Sequence, residues 1–293
     1  MLPFPHVEGK SLADVSTLGI GGPARYFSLA HSPEEMATML GHCHRASLPF
    51  FILGKGSNCL FDDQGFNGLV IQNHIDYLKH EGSTFTAGGG YSFARLGKET
   101  ARKGFTGLEF AAGIPATVGG AIYMNAGASG QETEKRLKAV TFVTEAGEIR
   151  HFQREELVFS YRTSPFQKWR GAIVEGVFEL EKLEEAKKNQ RDLLDYRLKT
   201  QPYKDKSAGC AFRNPPGTAA GRLIEECGLK GMQIGGARVS SQHANFIVNV
   251  GGSTAADFRA LLILIQETIY LQRGIHLETE ICQVPYDPSA SSL

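Results

Sequence analysis

A short loop of small residues, Gly54-Lys55-Gly56-Ser57-Asn58, is the first place in this sequence where the backbone could bind a charged ligand. It directly follows the apolar run 48–53. Glycine adopts conformations closed to other residues, and a turn of this kind presents successive N–H groups to phosphate oxygens, to which Ser and Asn side chains add donors. A Rossmann dinucleotide fingerprint needs a helix straight after the glycines, but the turn-forming residues 62–65 follow instead. A tight turn without a ligand remains the plainer alternative.

A second and denser glycine cluster lies between residues 107 and 130. Its members are Gly107, Gly113, Gly119, Gly120, Gly127 and Gly130. The adjacent Gly119 and Gly120 allow a planar or charged ligand to lie on bare backbone. A Walker A loop is excluded, because no Gly-Lys-Ser/Thr follows at the required spacing. A buried loop without a ligand is the alternative.

Three further segments carry side chains that could do chemistry. Tyr161-Arg162 and Glu278-Thr279-Glu280 supply a cation and carboxylates, and Cys210 follows a glycine in a polar loop. Taken singly, the first two are typical of surface or packing pairs. A thiol in a polar loop could be exposed and reactive, although a buried, inert cysteine is the commoner arrangement.

The elements that must position these residues alternate between helix and strand. Ser32-Pro33-Glu34-Glu35 has the cap, the first-turn proline and the acidic residue of a helix start, and Gly274 is typical of a helix end. The predicted helices span residues 32–45, 92–103, 181–199, 219–227 and 254–273, and the predicted strands span residues 48–53, 68–71, 140–143, 172–180 and 243–250. The tail 288–293 is predicted to be disordered.

The composition excludes several classes of protein. The 293 residues suggest two or three domains, and 31 Lys and Arg balance 31 Asp and Glu, so no global basic field attracts nucleic acid. The longest strongly apolar run, residues 261–265, is far shorter than the ~20 residues that span a bilayer. The N-terminus lacks the basic and apolar segments of a signal peptide.

The cysteines indicate a compartment. Five of them are scattered without a Cys-x-x-Cys pair, which favours free thiols in a reducing cytoplasm. No metal site is predicted, since the side chains of His42, Cys43 and His44 point in different directions on a helix.

The order of these motifs, rather than any one of them, resembles the UDP-N-acetylenolpyruvoylglucosamine reductase family. The shared motifs span about residues 17–280, and the length is similar to that of the shorter subclass. The motifs are Thr17-Leu18-Gly19-Ile20-Gly21-Gly22-Pro23-Ala24, Gly54-Lys55-Gly56-Ser57-Asn58, Gly107-Leu108-Glu109-Phe110-Ala111-Ala112-Gly113-Ile114-Pro115, Gly119-Gly120-Ala121, Asn125-Ala126-Gly127, Tyr161-Arg162, Gly209-Cys210-Ala211-Phe212-Arg213-Asn214-Pro215, His243-Ala244-Asn245-Phe246-Ile247-Val248-Asn249 and Leu277-Glu278-Thr279-Glu280.

The resemblance implies an α+β protein with a two-part FAD-binding region of the PCMH/vanillyl-alcohol-oxidase type and a C-terminal α+β substrate-binding domain. The expected boundaries are 1–73 and 74–184 for the two FAD-binding subdomains and 185–293 for the third. FAD is expected to be non-covalent and the chain a cytoplasmic monomer. The implied cofactor-binding residues are Gly54, Lys55, Gly56, Ser57, Asn58, Gly113, Ile114, Gly119, Gly120 and Asn125.

The same resemblance implies a two-stage reaction in peptidoglycan precursor synthesis. NADPH supplies a hydride through the flavin to the vinyl carbon of UDP-N-acetylglucosamine enolpyruvate. Arg162 is expected to pair with the substrate carboxylate and Glu280 to help stabilise the enolate that forms. Tyr161, Arg213 and Asn214 are expected at the substrate, and residues 199–206 near its diphosphate.

Two positions depart from the family pattern. The family usually has serine where this chain has Cys210, and that hydroxyl delivers the final proton. A thiol has an ordinary pKa of ~8.5 and is the stronger acid, so we expect Cys210 to do this work. Ala116 stands where glycine is common, which we expect to perturb little.

Two other functions stay open from the sequence alone. One is an oxidase of the same fold with covalently attached FAD. The other is a UDP-sugar-binding or regulatory protein that has lost its flavin. The state of the flavin in purified protein distinguishes all three.

Overall fold

The first part of the chain forms a four-stranded sheet covered by one helix. The computed structural model describes residues 2–288. The sheet order is β1-β2-β5-β3, with β1 antiparallel to β2 and the other pairs parallel. The elements are β1 (Val7–Ser11), β2 (Pro23–Ala30), α1 (Pro33–Arg45), β3 (Phe50–Leu53), β4 (Cys59–Phe61) and β5 (Phe66–Asn73).

Helix α1 begins as its sequence predicts. The Ser32 hydroxyl accepts a hydrogen bond from the Glu35 N–H, and Pro33 occupies the first turn. Both features satisfy or remove backbone donors that an α-helix leaves unpaired at its start. The predicted end at Arg45 is also confirmed.

The second part is a five-stranded antiparallel sheet in the order β12-β11-β13-β7-β6, with a core rich in phenylalanine. Its elements are β6 (Leu78–Glu81), β7 (Thr84–Gly88), α2 (Phe93–Arg102), β8 (Phe105–Thr106), α3 (Val118–Tyr123), β9 (Gly127–Ala128), β10 (Gln131–Glu132), β11 (Leu137–Thr144), β12 (Ile149–Gln153), β13 (Gly171–Glu179) and β14 (Glu181–Lys182). A short 3-10 helix, Glu109–Gly113, leads into the second glycine loop.

The third part packs two helices on a four-stranded antiparallel sheet in the order β15-β18-β17-β16. Its elements are α4 (Ala186–Thr200), β15 (Lys206–Cys210), α5 (Ala220–Glu226), β16 (Gln233–Ile234), β17 (Ala237–Val239), β18 (Phe246–Asn249), α6 (Ala255–Arg273) and β19 (Cys282–Val284). Helix α6 begins with a Thr254–Asp257 capping box and ends at Gly274 in the left-handed conformation, as its sequence predicts.

Two elements begin three or more residues later than predicted. The helix expected from residue 181 begins at Ala186, because Glu181 and Lys182 pair with Thr106 and Phe105 as strand β14. The strand expected from residue 243 begins only at Phe246, because the Phe246 N–H closes a turn onto the His243 carbonyl. The predicted disorder of the tail concerns residues that, apart from Pro288, lie outside the described range.

The three parts are joined by contacts that are remote in sequence. Strand β19, near the C-terminus, pairs in parallel with β4 of the first part. Leu18, Ile20 and Leu60 of the first part are buried in the core of the third. These joints place three surfaces around one cleft.

Candidate active site

All three parts of the chain contribute to this cleft, whose cavity volume is about 240 Å³. Its lining is mostly apolar, with a few polar groups. The lining residues include Gly54, Lys55, Gly56, Ser57, Asn58, Cys59, Ile114, Thr117, Gly120, Tyr123, Gly127, Arg162, Arg197, Gly209, Cys210, Phe246, Glu280 and Cys282. A second, more polar cavity of about 290 Å³ adjoins it and shares Gly54, Lys55 and Thr117.

The loop Gly54–Asn58 presents free backbone donors to the cleft. Within the described residues, the N–H groups of Lys55, Gly56 and Ser57 donate to no protein group, whereas the Gly56 carbonyl accepts from the Thr17 N–H at 3.2 Å. Gly56 has φ +63°, and a Cβ there would lie 2.4 Å from the Val15 carbonyl oxygen. The backbone is thus fixed with its N–H groups free, as in an anion-binding nest.

Two side chains of this loop already have protein partners. The Lys55 ammonium donates to the Ser92 hydroxyl at 3.0 Å, and burial lowers the pKa of Lys55 while Asp76 acts in the opposite direction. The Asn58 amide donates to the Glu280 carbonyl oxygen at 3.2 Å. Asn58 therefore ties the loop to the segment that carries Glu280.

Only some of the cofactor-binding residues predicted in the second glycine loop line the cleft. Ile114 and Gly120 line the cleft, and a Cβ on Gly120 would meet only the Thr117 hydroxyl, at 3.3 Å. Gly113 and Gly119 are buried beside it, and the Gly119 N–H is already used by the Gly89 carbonyl at 2.8 Å.

Asn125 lies behind the wall rather than in it. It is fully buried, and its amide nitrogen donates to the Ser160 carbonyl at 3.0 Å and to Glu132 at 3.1 Å. Its amide oxygen accepts from the Glu134 N–H at 3.1 Å. Asn125 thus supports the tight turn, closed by Ser160 and Thr163, that carries Tyr161 and Arg162.

Arg162 and Glu280 meet in the cleft across 118 positions of sequence. The Arg162 Nε donates to Glu280 Oε1 at 2.7 Å, and Nη2 donates to the Gly127 carbonyl at 3.1 Å. The Arg162 guanidinium also lies 4.9 Å from the Tyr161 ring centroid. Its third nitrogen, Nη1, has no protein partner among residues 2–288. Arg162 has φ +55°, an uncommon conformation that clusters at functional sites.

The charges of this pair act on one another. Burial raises the pKa of Glu280, and Arg162 opposes that rise. The two side chains are 17% and 14% exposed. A guanidinium held this way keeps one donor free for an anion that enters the cleft.

The Cys210 thiol lies in the same cleft. Burial raises its pKa to about 12, and the negative charge of Glu280 adds to this, while Arg162 and Arg197 favour the thiolate. The thiol is therefore protonated at neutral pH. The sequence left two alternatives for Cys210, an exposed reactive thiol and a buried inert one. A protonated thiol that faces a cavity matches neither of them.

The three other predicted substrate residues adjoin Arg162 without lining the cavity. The Tyr161 hydroxyl accepts from the Asn214 N–H at 3.3 Å, and Arg213 Nη2 donates to the Arg162 carbonyl at 3.4 Å. Arg213 Nε is buried without a hydrogen-bond partner. The Asn214 side chain accepts from the Ala220 N–H at the start of α5.

Several lining residues have no local signal in the sequence. Arg197 comes from helix α4, where its Nε donates to the Tyr203 hydroxyl at 3.1 Å. Tyr123, Cys59 and Cys282 also line the cleft. Only the pairing of β4 with β19 brings the two cysteines together. Pairing between segments so distant in sequence leaves no local pattern.

Residues 2–288 contain neither a metal-binding cluster nor a disulfide. No group of three or more His, Cys, Asp or Glu side chains in this range could hold a metal ion. All five cysteines are free thiols. None of the helices in the same range has the length and apolarity that crossing a bilayer requires.

Comparison with known proteins identifies both halves of the chain. Residues 24–153 match the family model described as an FAD binding domain, and residues 201–284 match the C-terminal domain of UDP-N-acetylenolpyruvoylglucosamine reductase. The reductase of that name from Protochlamydia amoebophila (strain UWE25) is 56% identical over 287 residues, covering 98% of this chain and 96% of the relative. The one from Chlamydia muridarum is 46% identical, covering 98% and 97%.

A solved structure agrees along almost the whole length. The crystal structure of UDP-N-acetylenolpyruvylglucosamine reductase from Thermus caldophilus superposes with a TM-score of 0.82 at 38% identity, over 96% of this chain and 100% of that one. The predicted fold class is confirmed as an α+β protein in which an FAD-binding region is followed by the C-terminal α+β domain of this reductase family. The predicted enzyme class, an FAD-dependent oxidoreductase, is confirmed as well. The chain belongs to the UDP-N-acetylenolpyruvoylglucosamine reductase family.

Proposed function

We propose that this enzyme reduces the enolpyruvyl group of UDP-N-acetylglucosamine enolpyruvate to give UDP-N-acetylmuramate, with NADPH as hydride donor and non-covalent FAD as carrier. The Gly54–Asn58 loop and Gly120 would hold FAD in the cleft, where it would supply hydride transfer from NADPH to the vinyl carbon of the substrate. The proposal rests on the names of relatives that cover nearly the whole chain and on the chemistry of the cleft. It assigns the enzyme to cytoplasmic peptidoglycan precursor synthesis, acting as a monomer.

The cleft suits a flavin dinucleotide. The free N–H groups of Lys55, Gly56 and Ser57 are donors for its pyrophosphate. Gly120 and Gly209 line the cavity, and neither has a neighbour within 3 Å of the space that a Cβ would take. A methyl group at either position would project toward the ligand, so bare backbone there leaves room for a flat ring system.

Arg162 and Glu280 are assigned to the substrate carboxylate and to the charge that develops beside it. Arg162 keeps its Nη1 donor free while Glu280 and Gly127 fix the rest of the guanidinium. A preorganised cation in a site with little water stabilises an enolate more than it stabilises the neutral alkene. Glu280 holds Arg162 in that orientation and contributes to the same field.

Cys210 is assigned as the proton donor to the carbon next to the carboxylate. Its raised pKa keeps the proton on sulfur until a stronger base, such as a carbanion, forms beside it. The thiol shares the cleft with Arg162 and Glu280, as this role requires.

The remaining predicted residues are assigned to binding. Tyr161 and Arg213 adjoin Arg162, and Arg213 has a buried nitrogen without a partner, which suits the sugar or diphosphate of the substrate. Asn214 adjoins Tyr161 and is assigned to the same region. The division into 1–73, 74–184 and 185–293 is retained as the proposed domain organisation.

One observation carries the proposal: the Arg162–Glu280 pair and the Cys210 thiol lie in the cavity that the Gly54–Asn58 loop walls. A visible spectrum of purified protein tests it. We expect a flavin band that anaerobic NADPH bleaches and that UDP-N-acetylglucosamine enolpyruvate then restores, and acid precipitation should leave the colour in the supernatant. A colourless protein that cannot be reconstituted, or colour retained in the pellet, would contradict the proposal.

A further inference from the structure

The segment His243–Asn249 is a motif that the assigned roles leave unexplained. Of its seven residues, Phe246 alone lines the described cleft. Asn245 is 2% exposed, although asparagine is a costly residue to bury unless its amide is fully bonded. Its partners show what the buried amide does.

Asn245 holds the two residues that follow Cys210. The Asn245 carbonyl accepts from the Ala211 N–H at 2.7 Å. The side chain then makes two more bonds, accepting from the Phe212 N–H at 3.0 Å and donating to the Phe212 carbonyl at 2.8 Å. One asparagine thus fixes three backbone groups of two successive residues through short, direct bonds.

These bonds compensate for an irregularity in the sheet. The pairing of β15 with β18 shifts register between Ser207 and Cys210, and Gly209 has φ +77°. A bulge of this kind re-aims the side chain that follows it, and here that side chain is the Cys210 thiol. Because the regular ladder is interrupted there, the Asn245 amide bonds to the backbone that follows β15 and holds it in place.

The same two residues carry Glu280. The Ala211 carbonyl accepts from the Glu280 N–H at 2.8 Å, and Phe212 is bridged to Thr279. Burial raises the pKa of the Cys210 thiol, and the nearby Asn245 side chain acts in the opposite direction. Asn245 is therefore connected to both groups that the reaction needs on this side of the cleft.

We propose that Asn245 is a positioning residue, which holds the Cys210 thiol and the Glu280 carboxylate in one fixed geometry for the protonation step. The inference rests on the proposed function, in which Cys210 delivers the final proton. Asn245 itself touches neither the cavity nor the reacting atoms. Its effect is confined to the half-reaction in which the substrate is protonated.

The test separates the two half-reactions by stopped flow on the FAD-loaded enzyme. Asn245→Ser removes the bonds to Phe212, and Asn245→Asp keeps the size and one acceptor while losing the donor. For both, we expect flavin reduction by NADPH at about the wild-type rate. We expect reoxidation by UDP-N-acetylglucosamine enolpyruvate to slow by roughly 100-fold, the loss that a 1 Å displacement of a catalytic group can cause.

Asn249→Ser is the matched control. Asn249 lies on the same strand and also anchors backbone, by donating to the Leu18 carbonyl at 3.0 Å, but it bonds to neither Ala211 nor Phe212. We expect this variant to retain both rates. In a Cys210→Ala background, Asn245→Ser should give no further loss, because residues acting as one unit are not additive.

Each outcome is decisive. Reoxidation at the wild-type rate in both Asn245 variants overturns the inference, and so does an equal loss in both half-reactions, which would indicate general damage to the fold. A further independent loss in the Cys210→Ala background shows that Asn245 does not act through the thiol, and also overturns it. Failure of the wild type to be reduced or reoxidised refutes the proposed function first.

Discussion

At the scale of the residue, the surroundings of the Cys210 thiol in the cleft set its protonation state. From the sequence, the Gly-Cys pair in a polar loop is compatible with either an exposed or a buried Cys210 thiol. Its pKa depends on burial and on the charges of Glu280 and Arg162, which are distant in sequence. The type of side chain can be read from the sequence, whereas its protonation state depends on neighbours that only the fold brings together.

The state of Cys210 predicts a pH dependence. A donor must hold its proton, and a group with a raised pKa loses it only as pH rises through that raised value, here about 12. Reoxidation of the flavin by substrate should therefore show no alkaline decline from Cys210 up to about pH 10. Stopped-flow rates across this range check the expectation, and a decline near pH 8 to 9 that Cys210→Ser lacks would contradict it.

The same variants test the role itself. Cys210→Ala should slow reoxidation by about 10²- to 10⁴-fold, the usual contribution of a general acid, whereas Cys210→Ser retains a proton at the position and should stay far closer to wild type. An alanine variant that reacts as fast as wild type would show that the proton comes from elsewhere.

At the scale of the element, helices with explicit start and stop signals could be predicted nearly to the residue. Helix α1 has Ser32 and Pro33, and helix α6 has Thr254 and Gly274. Strand β14 could not be predicted, because it exists only through its pairing with β8. The sequence also could not show that Gly120 lines the cleft while Gly119 is buried with its N–H bonded to Gly89, since both are glycines of one loop.

The bulge at Gly209 gives a prediction at this scale. Gly209→Ala puts a side chain at φ +77° and projects a methyl group into the cleft, since no other atom lies within 4 Å of that space. The strain should cost about 1 kcal/mol of unfolding free energy, and FAD or substrate binding should weaken as well. Urea unfolding and ligand titration measure the two effects separately.

Gly217→Ala is the matched control. Gly217 has φ +79° and equally open space around the missing Cβ, but it is not among the lining residues of the cleft. It should lose similar stability while binding FAD and substrate normally. If both variants bind these ligands equally well, the cleft-facing role of Gly209 is wrong.

At the scale of the whole molecule, the cleft exists because the parts are joined by contacts that the linear sequence hides. The motifs and their order predicted that Arg162, Cys210 and Glu280 belong to one site, through the resemblance alone. No periodicity or cap predicted that Leu18 and Ile20 would be buried in the core of the third part. Segments of the first and third proposed domains, 1–73 and 185–293, therefore share one core.

A substitution at Asp63 tests how strongly the contact between the first and third parts supports cofactor binding. It belongs to the first part, yet its carboxylate accepts from the Ala255 and Ala256 N–H groups of α6 at 2.7 and 3.1 Å. A carboxylate at a helix start satisfies unpaired donors, so Asp63→Ala should lower the free energy of unfolding by about 1 kcal/mol. Because the bond also fixes the third part against the first, we expect FAD to bind more weakly.

Ser32→Ala separates the two consequences of that change. It removes a cap of similar strength, worth about 1 kcal/mol, but entirely within the first part. Urea denaturation should show comparable losses in the two variants, whereas fluorescence titration should show weakened FAD binding only for Asp63→Ala. Equal FAD affinity in the two would mean that the cleft keeps its shape without the Asp63 bonds, and that the β4–β19 pairing and the buried Leu18 and Ile20 suffice to hold the third part in place.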